Sequence, residues 1–450
     1  MTFPRTLPTA SEATTAIRQG RLTSVQLVQA CLDRIAEFEP AVEAWSFLAP
    51  AYAIAQAEAR DRAQTEGKPL GPLHGIPVGV KDIFDTADMP TENGTVLHAG
   101  RQPTEDAMVV ALLRAGGAVI LGKTVTTELA VYTPGKTRNP HDPGRSPGGS
   151  SSGSAAAVAA RMVPLAIGSQ TNGSVIRPAA YCGVVGYKPT HGLISRAGVL
   201  RQSPHLDHVG VFAQSVEDAA LIAETLMAYD PRDPAMRCTP WPRLLELVTQ
   251  EPPSAPRLAF VRSPFWDQAD PEARAAFQTL ARRPACEEAE LPTPFAEAAQ
   301  IHRTILEADL ALSFSSEYER GKERLSPILR TMIEQGRQTL AVDYNRAVAA
   351  VPGLRRALDD LLQRYDVILT PATTGVAPAG LASTGSPIFC TIWTLCGVPA
   401  VTLPLLTGEQ GLPLGVQLIG REGDDARLLR TARWLMGLFE QPVRRTGSPA

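Results

Sequence analysis

Hydrophobic and polar positions along this chain follow two different periods. Near the N-terminus Val25, Val28, Leu32 and Ile35 recur every three or four residues, the spacing that lines one face of a helix. Thr23 and Gln26 suit a capping box at the start of that run. A second helix is expected over AYAIAQAEARDRAQTEG. The texture then changes. GIPVGVKDIFDT reads as a short buried strand running to Val80, followed by a polar turn. AMVVALLRAGGAVILGKT reads as a helix, a Gly-Gly stop and the strand AVIL. Strand-like runs return at DVILTPA, AVTLPLL and LGVQLIG, and a last helix is expected at DDARLLRTARWLMGLF. Residues 230–300, rich in Pro, Arg and Glu, look peripheral. No internal repeat is visible. Alternating helix and strand predicts an α/β fold whose sheet is covered by helices on both faces.

Residues 148–160, GGSSSGSAAAVAA, raise a question of their own. Gly/Ser runs are the usual stuff of flexible linkers. This one leads straight into SAAAVAARMVPLAIGS, a small-residue helix pattern followed by a strand pattern, which suits a helix packed closely in a crowded interior.

Composition narrows the field. The 450 residues are 44% hydrophobic and 20% charged, enough for a large core. Net charge is −3, so no nucleic-acid footprint is evident. MTFPRTLPTASEATTAIRQG carries no apolar signal core, and no run approaches the roughly 18 apolar residues that span a bilayer. The six cysteines form no C-x-x-C pair, and the seven histidines do not cluster with them. No metal is expected, and free thiols fit a reducing cytoplasm.

Gly117–Thr124, GAVILGKT, matches the letters of a phosphate-binding P-loop. A nucleotide-binding protein is therefore a rival reading. Its physics is poor, because the residues that should form the loop are Ala-Val-Ile-Leu, which favour burial as a strand, and a helix pattern stands where a strand should precede.

Three other pieces suggest a serine nucleophile that works without histidine. Lys81 ends an apolar run, and burial makes a lysine amine neutral enough to accept a proton. Serines cluster at 150–154. In SQTNGSVIRPAAYCG, Gly173 and Ser174 lie in a small-residue turn whose N–H groups can hold an oxyanion. Taken singly, the same residues also fit a surface turn, a linker and an ordinary turn.

Together and in this order, they resemble the amidase signature family. The matching stretches are GIPVGVKDIFDT, TRNPHDPGRSPGGSSSGSAAAVAA, GSQTNGSVIRPAAYCGVVGYKPTHG, LDHVGVFAQSVED and the tail from ILTPATTG to GLPLGVQLIGREGDDARLL, spread over about residues 10 to 440. The resemblance implies one amidase domain over 1–450 around a mixed sheet sandwiched by helices. Within it, residues 1–70 would form N-terminal helices, 71–220 the catalytic core, 225–350 a peripheral helical region able to cap the pocket, and 351–450 the rest of the core. It implies Ser174 as nucleophile, Ser150 as bridging serine after a cis peptide, and Lys81 as base. The N–H groups of Thr171, Asn172, Gly173 and Ser174 would form the oxyanion hole. Substrate contacts are expected from Tyr132, Ser151, Arg177, Ile388, Phe389 and Trp393, each of which also fits an ordinary core or supporting role. Asp207 and Asp218 match positions taken as structural. No cofactor is implied.

The chain departs from the family's common pattern at Gln170, Asn172 and Ile176, which stand where Asp, Gly and Arg are usual. Arg177 is an extra cation beside them, suited to a substrate carboxylate or, preferably, to supporting the loop. The expected activity is hydrolysis of a small-molecule amide through an acyl-enzyme. Alternatives are the glutaminase subunit of a tRNA-dependent amidotransferase, a urea- or biuret-type hydrolase, and a non-catalytic binding subunit. No membrane or direct nucleic-acid contact is expected; a homodimer or a small accessory subunit is compatible.

Overall fold

The computed structural model describes residues 7–282 and 286–440. The two ends of the expected 1–450 unit, and residues 283–285 inside the expected peripheral region, lie outside the described residues. The leader-free reading of the chain's start rests partly on residues 1–6, also outside them.

Eleven strands of the described residues form one sheet. In chain order they are β1 (Trp45–Leu48), β2 (Pro77–Lys81), β3 (Val119–Thr124), β4 (Leu165–Gln170), β5 (Val185–Lys188), β6 (His208–Ala213), β7 (Leu258–Val261), β8 (Cys286–Ala289), β9 (Val367–Pro371), β10 (Ala400–Thr407) and β11 (Pro413–Ile419). Across the sheet the order is β1-β3-β2-β4-β6-β5-β10-β11-β9-β7-β8. β2 runs parallel to β3 and β4, and β7 runs parallel to β8 and β9. The remaining pairs are antiparallel. The sheet is therefore mixed, as expected.

Strand alternation feeds two cores. In β4, Leu165 and Ile167 join a cluster that also holds Val109, Ile222 and Leu429 from the helices Met108–Ala115, Val216–Thr225 and Asp425–Glu440. Ala166 between them joins the opposite cluster, with Val28, Ala57 and Ala156 from the helices Ser24–Val42, Pro50–Thr65 and Ser152–Ala159. Both faces are covered, which explains the near-continuous apolar runs of these strands. Thr23 and Gln26 cap Ser24–Val42 reciprocally.

The Gly/Ser stretch is no linker. Ser152–Ala159 is a buried helix. Its Gly153 has no room for a side chain, since a Cβ would lie 2.2 Å from Ala44 O and 2.4 Å from Val125 N. Close packing of a helix onto neighbouring backbone selects the small residues.

Residues 225–350 are helical over Pro271–Ala281, Ala298–Ser313, Pro327–Gly336 and the first part of Ala341–Leu361. They are not wholly peripheral. They also supply β7 and β8 to the sheet edge, and β7 is buried throughout. Four residues, LAFV, offer too short a pattern to be read as a strand among Pro- and Arg-rich neighbours.

Candidate active site

β2 and β4 are adjacent and parallel, with Val80 opposite Ile167. That register brings Lys81, the last residue of β2, beside Ser169. Lys81 is fully buried. Its Nζ lies 2.7 Å from Ser150 Oγ and 2.9 Å from Ser169 Oγ. Burial holds its ammonium well below the usual lysine range, with the negative charge of Asp207 opposing.

Ser150 follows a cis peptide from Gly149. The guanidinium of Arg177, 1% exposed, donates to Gly149 O at 3.2 and 2.7 Å, and also to Gly385 O. The N–H of Thr127 donates to Ser150 O at 3.3 Å. Ser150 is thus held at its carbonyl and at its hydroxyl.

Residues 171–174 have a revealing hydrogen-bond pattern. All four carbonyls are occupied. His302 donates to Thr171 O at 2.9 Å, the Thr394 hydroxyl donates to Asn172 O, the Arg177 N–H donates to Gly173 O at 2.9 Å, and the Ser151 N–H donates to Ser174 O at 3.4 Å. Among the described residues, no protein acceptor takes the N–H groups of Thr171, Asn172, Gly173 or Ser174. The next two N–H groups, of Val175 and Ile176, donate to Gln170 Oε1 at 2.8 and 3.0 Å. Fixed carbonyls and free donors make a loop able to stabilise a developing negative charge.

The departures from the family pattern have local reasons. Gln170 does a neutral residue's work, accepting those two N–H groups and donating to Thr394 Oγ1 at 2.9 Å. Asn172 donates to the Tyr132 hydroxyl at 3.1 Å and accepts from Thr391 Oγ1 at 2.8 Å. Asp207 accepts from the Thr171 hydroxyl and from the N–H groups of Gln202 and Ser203, and burial raises its carboxyl above the ordinary value against these bonds. Asp218 accepts from Ala10 and Ser11, pinning the first helix to the body of the protein.

A cavity of about 780 Å³ opens beside Asn172, and Tyr132, His302, Ile388 and Thr391 line it. A second, of about 370 Å³, reaches Ser169, Thr171 and Asp207. Of the expected substrate contacts, Tyr132 and Ile388 stand on the first cavity's wall. The other four line neither cavity. Ser151 is buried, its hydroxyl bonded to the Ser169 carbonyl at 3.2 Å. Arg177 supports the loop through backbone carbonyls. Phe389 and Trp393 are core residues on inner faces of the helix Ile388–Leu395. Sequence reading missed Ser169, Thr391, Thr394 and His302. Ser169 left a trace, as a polar residue at the end of an apolar strand. The others left none.

The P-loop resemblance is overturned here. Val119–Thr124 is a buried strand, and the Lys123 amine donates to Phe84 O, Pro90 O and Thr91 Oγ1 instead of facing an open loop.

The model of the amidase family matches residues 26–429. The chain belongs to the amidase family. This amidase is 36% identical to a subunit of the glutamyl-tRNA(Gln) amidotransferase of Chloroflexus aggregans, over 94% of each chain. Among solved structures, it resembles a protein from a vestigial complex connected with the origins of an s-triazine catabolic enzyme, at a TM-score of 0.90 and 30% identity, covering 96% of this chain and 98% of that one. It also resembles the peptide amidase of Stenotrophomonas maltophilia, at 0.82 and 30%, covering 97% and 98%. The protein is an amidase-family hydrolase of amides. No helix of its described residues is long and apolar enough to cross a membrane.

Proposed function

We propose that this amidase hydrolyses a small carboxylic amide to a carboxylate and ammonia or an amine, through an acyl-enzyme on Ser174. Neutral Lys81 takes the proton of Ser150, and Ser150 takes that of Ser174. Ser174 Oγ attacks the carbonyl carbon, and the N–H groups of residues 171–174 hold the oxyanion. The relay then protonates the leaving nitrogen, and water cleaves the ester. The observation that carries this mechanism is the buried Lys81 amine, 2.7 Å from Ser150 Oγ. Losing one oxyanion donor typically costs about 10²–10³ in rate, so four free N–H groups suit the task. Tyr132, Asn172 and Ile388 would contact one part of the substrate in the larger cavity. The six unpaired cysteines support work in a reducing compartment such as the cytoplasm.

The test is intact mass after incubation with a fluorophosphonate probe. One adduct on the wild type and none on folded Ser174→Ala is expected; equal labelling of both would overturn the assignment. A second reading, the glutaminase subunit of an amidotransferase, is supported by the Chloroflexus relative's name. It predicts amide turnover only when partner subunits are added.

A further inference from the structure

Two of the four carbonyls in the 171–174 loop are held by backbone N–H groups and two by side chains. Thr394 lies on the helix Ile388–Leu395, beside the loop. His302 comes from Ala298–Ser313, in the outer part of the chain. The same helix presents Leu306 and Glu307 to the larger cavity.

We propose that His302 is a positioning residue for amide hydrolysis, its Nε2–H fixing the Thr171 peptide so that the N–H groups of the loop converge on the oxyanion. The inference rests on the Ser174 nucleophile and the 171–174 oxyanion loop proposed above.

The geometry determines the tautomer. A carbonyl oxygen can only accept, so Nε2 carries the hydrogen and Nδ1 the lone pair. The ring is 2% exposed. Burial pulls the imidazole down to about 4, with the bond to Thr171 opposing. His302 is therefore a neutral donor at the pH where a neutral Lys81 works. Thr171 is clamped at two points, its carbonyl by His302 and its hydroxyl by Asp207 at 2.7 Å. A peptide plane is rigid, so holding the carbonyl of Thr171 also aims the N–H of Asn172, which belongs to the same plane. Because His302 also lines the cavity, the wall that meets the substrate and the clamp on the loop are one helix.

The test compares His302→Phe, which keeps a ring without a donor, with His302→Gln, which keeps an N–H donor. The readouts are kinact and KI for fluorophosphonate phosphonylation of Ser174, in which Oγ bonds to phosphorus and fluoride leaves, followed by intact mass, with folding checked by circular dichroism. A displaced oxyanion donor loses part of its rate contribution, so His302→Phe should lower kinact about 10-fold or more, with KI within about 3-fold. His302→Gln should return kinact to within about 3-fold of the wild type. If the phenylalanine variant does not fold, His302→Leu takes its place as the donor-free side chain. A donor-free variant with wild-type kinact overturns the inference alone, as does a glutamine variant just as slow, or an effect confined to KI. A wild type that does not label overturns the Ser174 reading and the inference together.

Discussion

Two lysines are buried side by side on neighbouring parallel strands, and only one of them has a carboxylate in contact. Lys81 on β2 and Lys123 on β3 are both fully buried, and Lys123 pairs in register with Val80. Lys123 has a carboxylate, Asp82, at 3.4 Å, together with two backbone carbonyls and a hydroxyl. Burial pulls it down only to about 8, with Asp82 opposing. Asp82 in turn is pushed up by burial to about 6, against Lys123. Lys81 touches two serine hydroxyls, and the negative charge that opposes its burial, Asp207, acts only at a distance. The difference lies in the acceptors. A carboxylate in contact keeps a buried amine charged; hydroxyls let it go neutral.

The sharpest way to break this comparison is Lys81→Met. The side chain is close in volume and leaves no buried charge behind. General-base contributions run to about 10²–10⁴-fold, so acylation of Ser174 should fall by about that factor while Tm stays near the wild type. Retained acylation would mean that another group takes the proton. The matching change, Lys123→Met, should do the reverse. It leaves Asp82 buried without its partner, a loss of about 3–5 kcal/mol, read as a lower denaturant midpoint. Acylation per folded molecule should remain within a few-fold. A large loss of acylation with stability intact would make Lys123 more than structural.

The smallest effect sharpens the electrostatic part. Asp207 raises the Lys81 pKa, so removing its charge lowers it further. On the proposed mechanism activity needs the neutral amine; it is present above the Lys81 pKa and lost as pH falls through it. Asp207→Asn should therefore extend activity to lower pH. The amide oxygen can accept the N–H groups of Gln202 and Ser203, and its nitrogen can face the Thr171 hydroxyl. An acid limb that does not move would detach Asp207 from the base.

Sequence reading fared differently at these places. Lys81, Ser150 and Ser174 stood in recognisable patterns, because the proposed chemistry needs those residue types in short, glycine-rich contexts. The β2–β3–β4 strands were legible for a related reason: buried parallel strands leave unbroken apolar runs. Around Lys123, GKT matches a loop motif letter for letter, but the apolar Ala-Val-Ile-Leu before it pointed to a strand, and the structure has one at Val119–Thr124. Ser151, Arg177, Phe389 and Trp393 sit next to functional segments in sequence, yet their side chains turn inward. Proximity along the chain says little about which way a side chain points.

The sequence by itself determined the alternation of elements, the sheet with two covered faces, the family, whose resemblance implied that the sheet is mixed, and the three residues that resemble its catalytic set. Each is written locally, in periodicity or in motif. The tertiary structure decided which buried lysine is in contact with a carboxylate, which carbonyls of the 171–174 loop are occupied, and that His302 reaches across 131 positions to one of them. These depend on the packing of segments distant in the chain. A pKa or a hydrogen bond is set by whatever atoms folding brings within a few ångströms, and no local pattern carries that information.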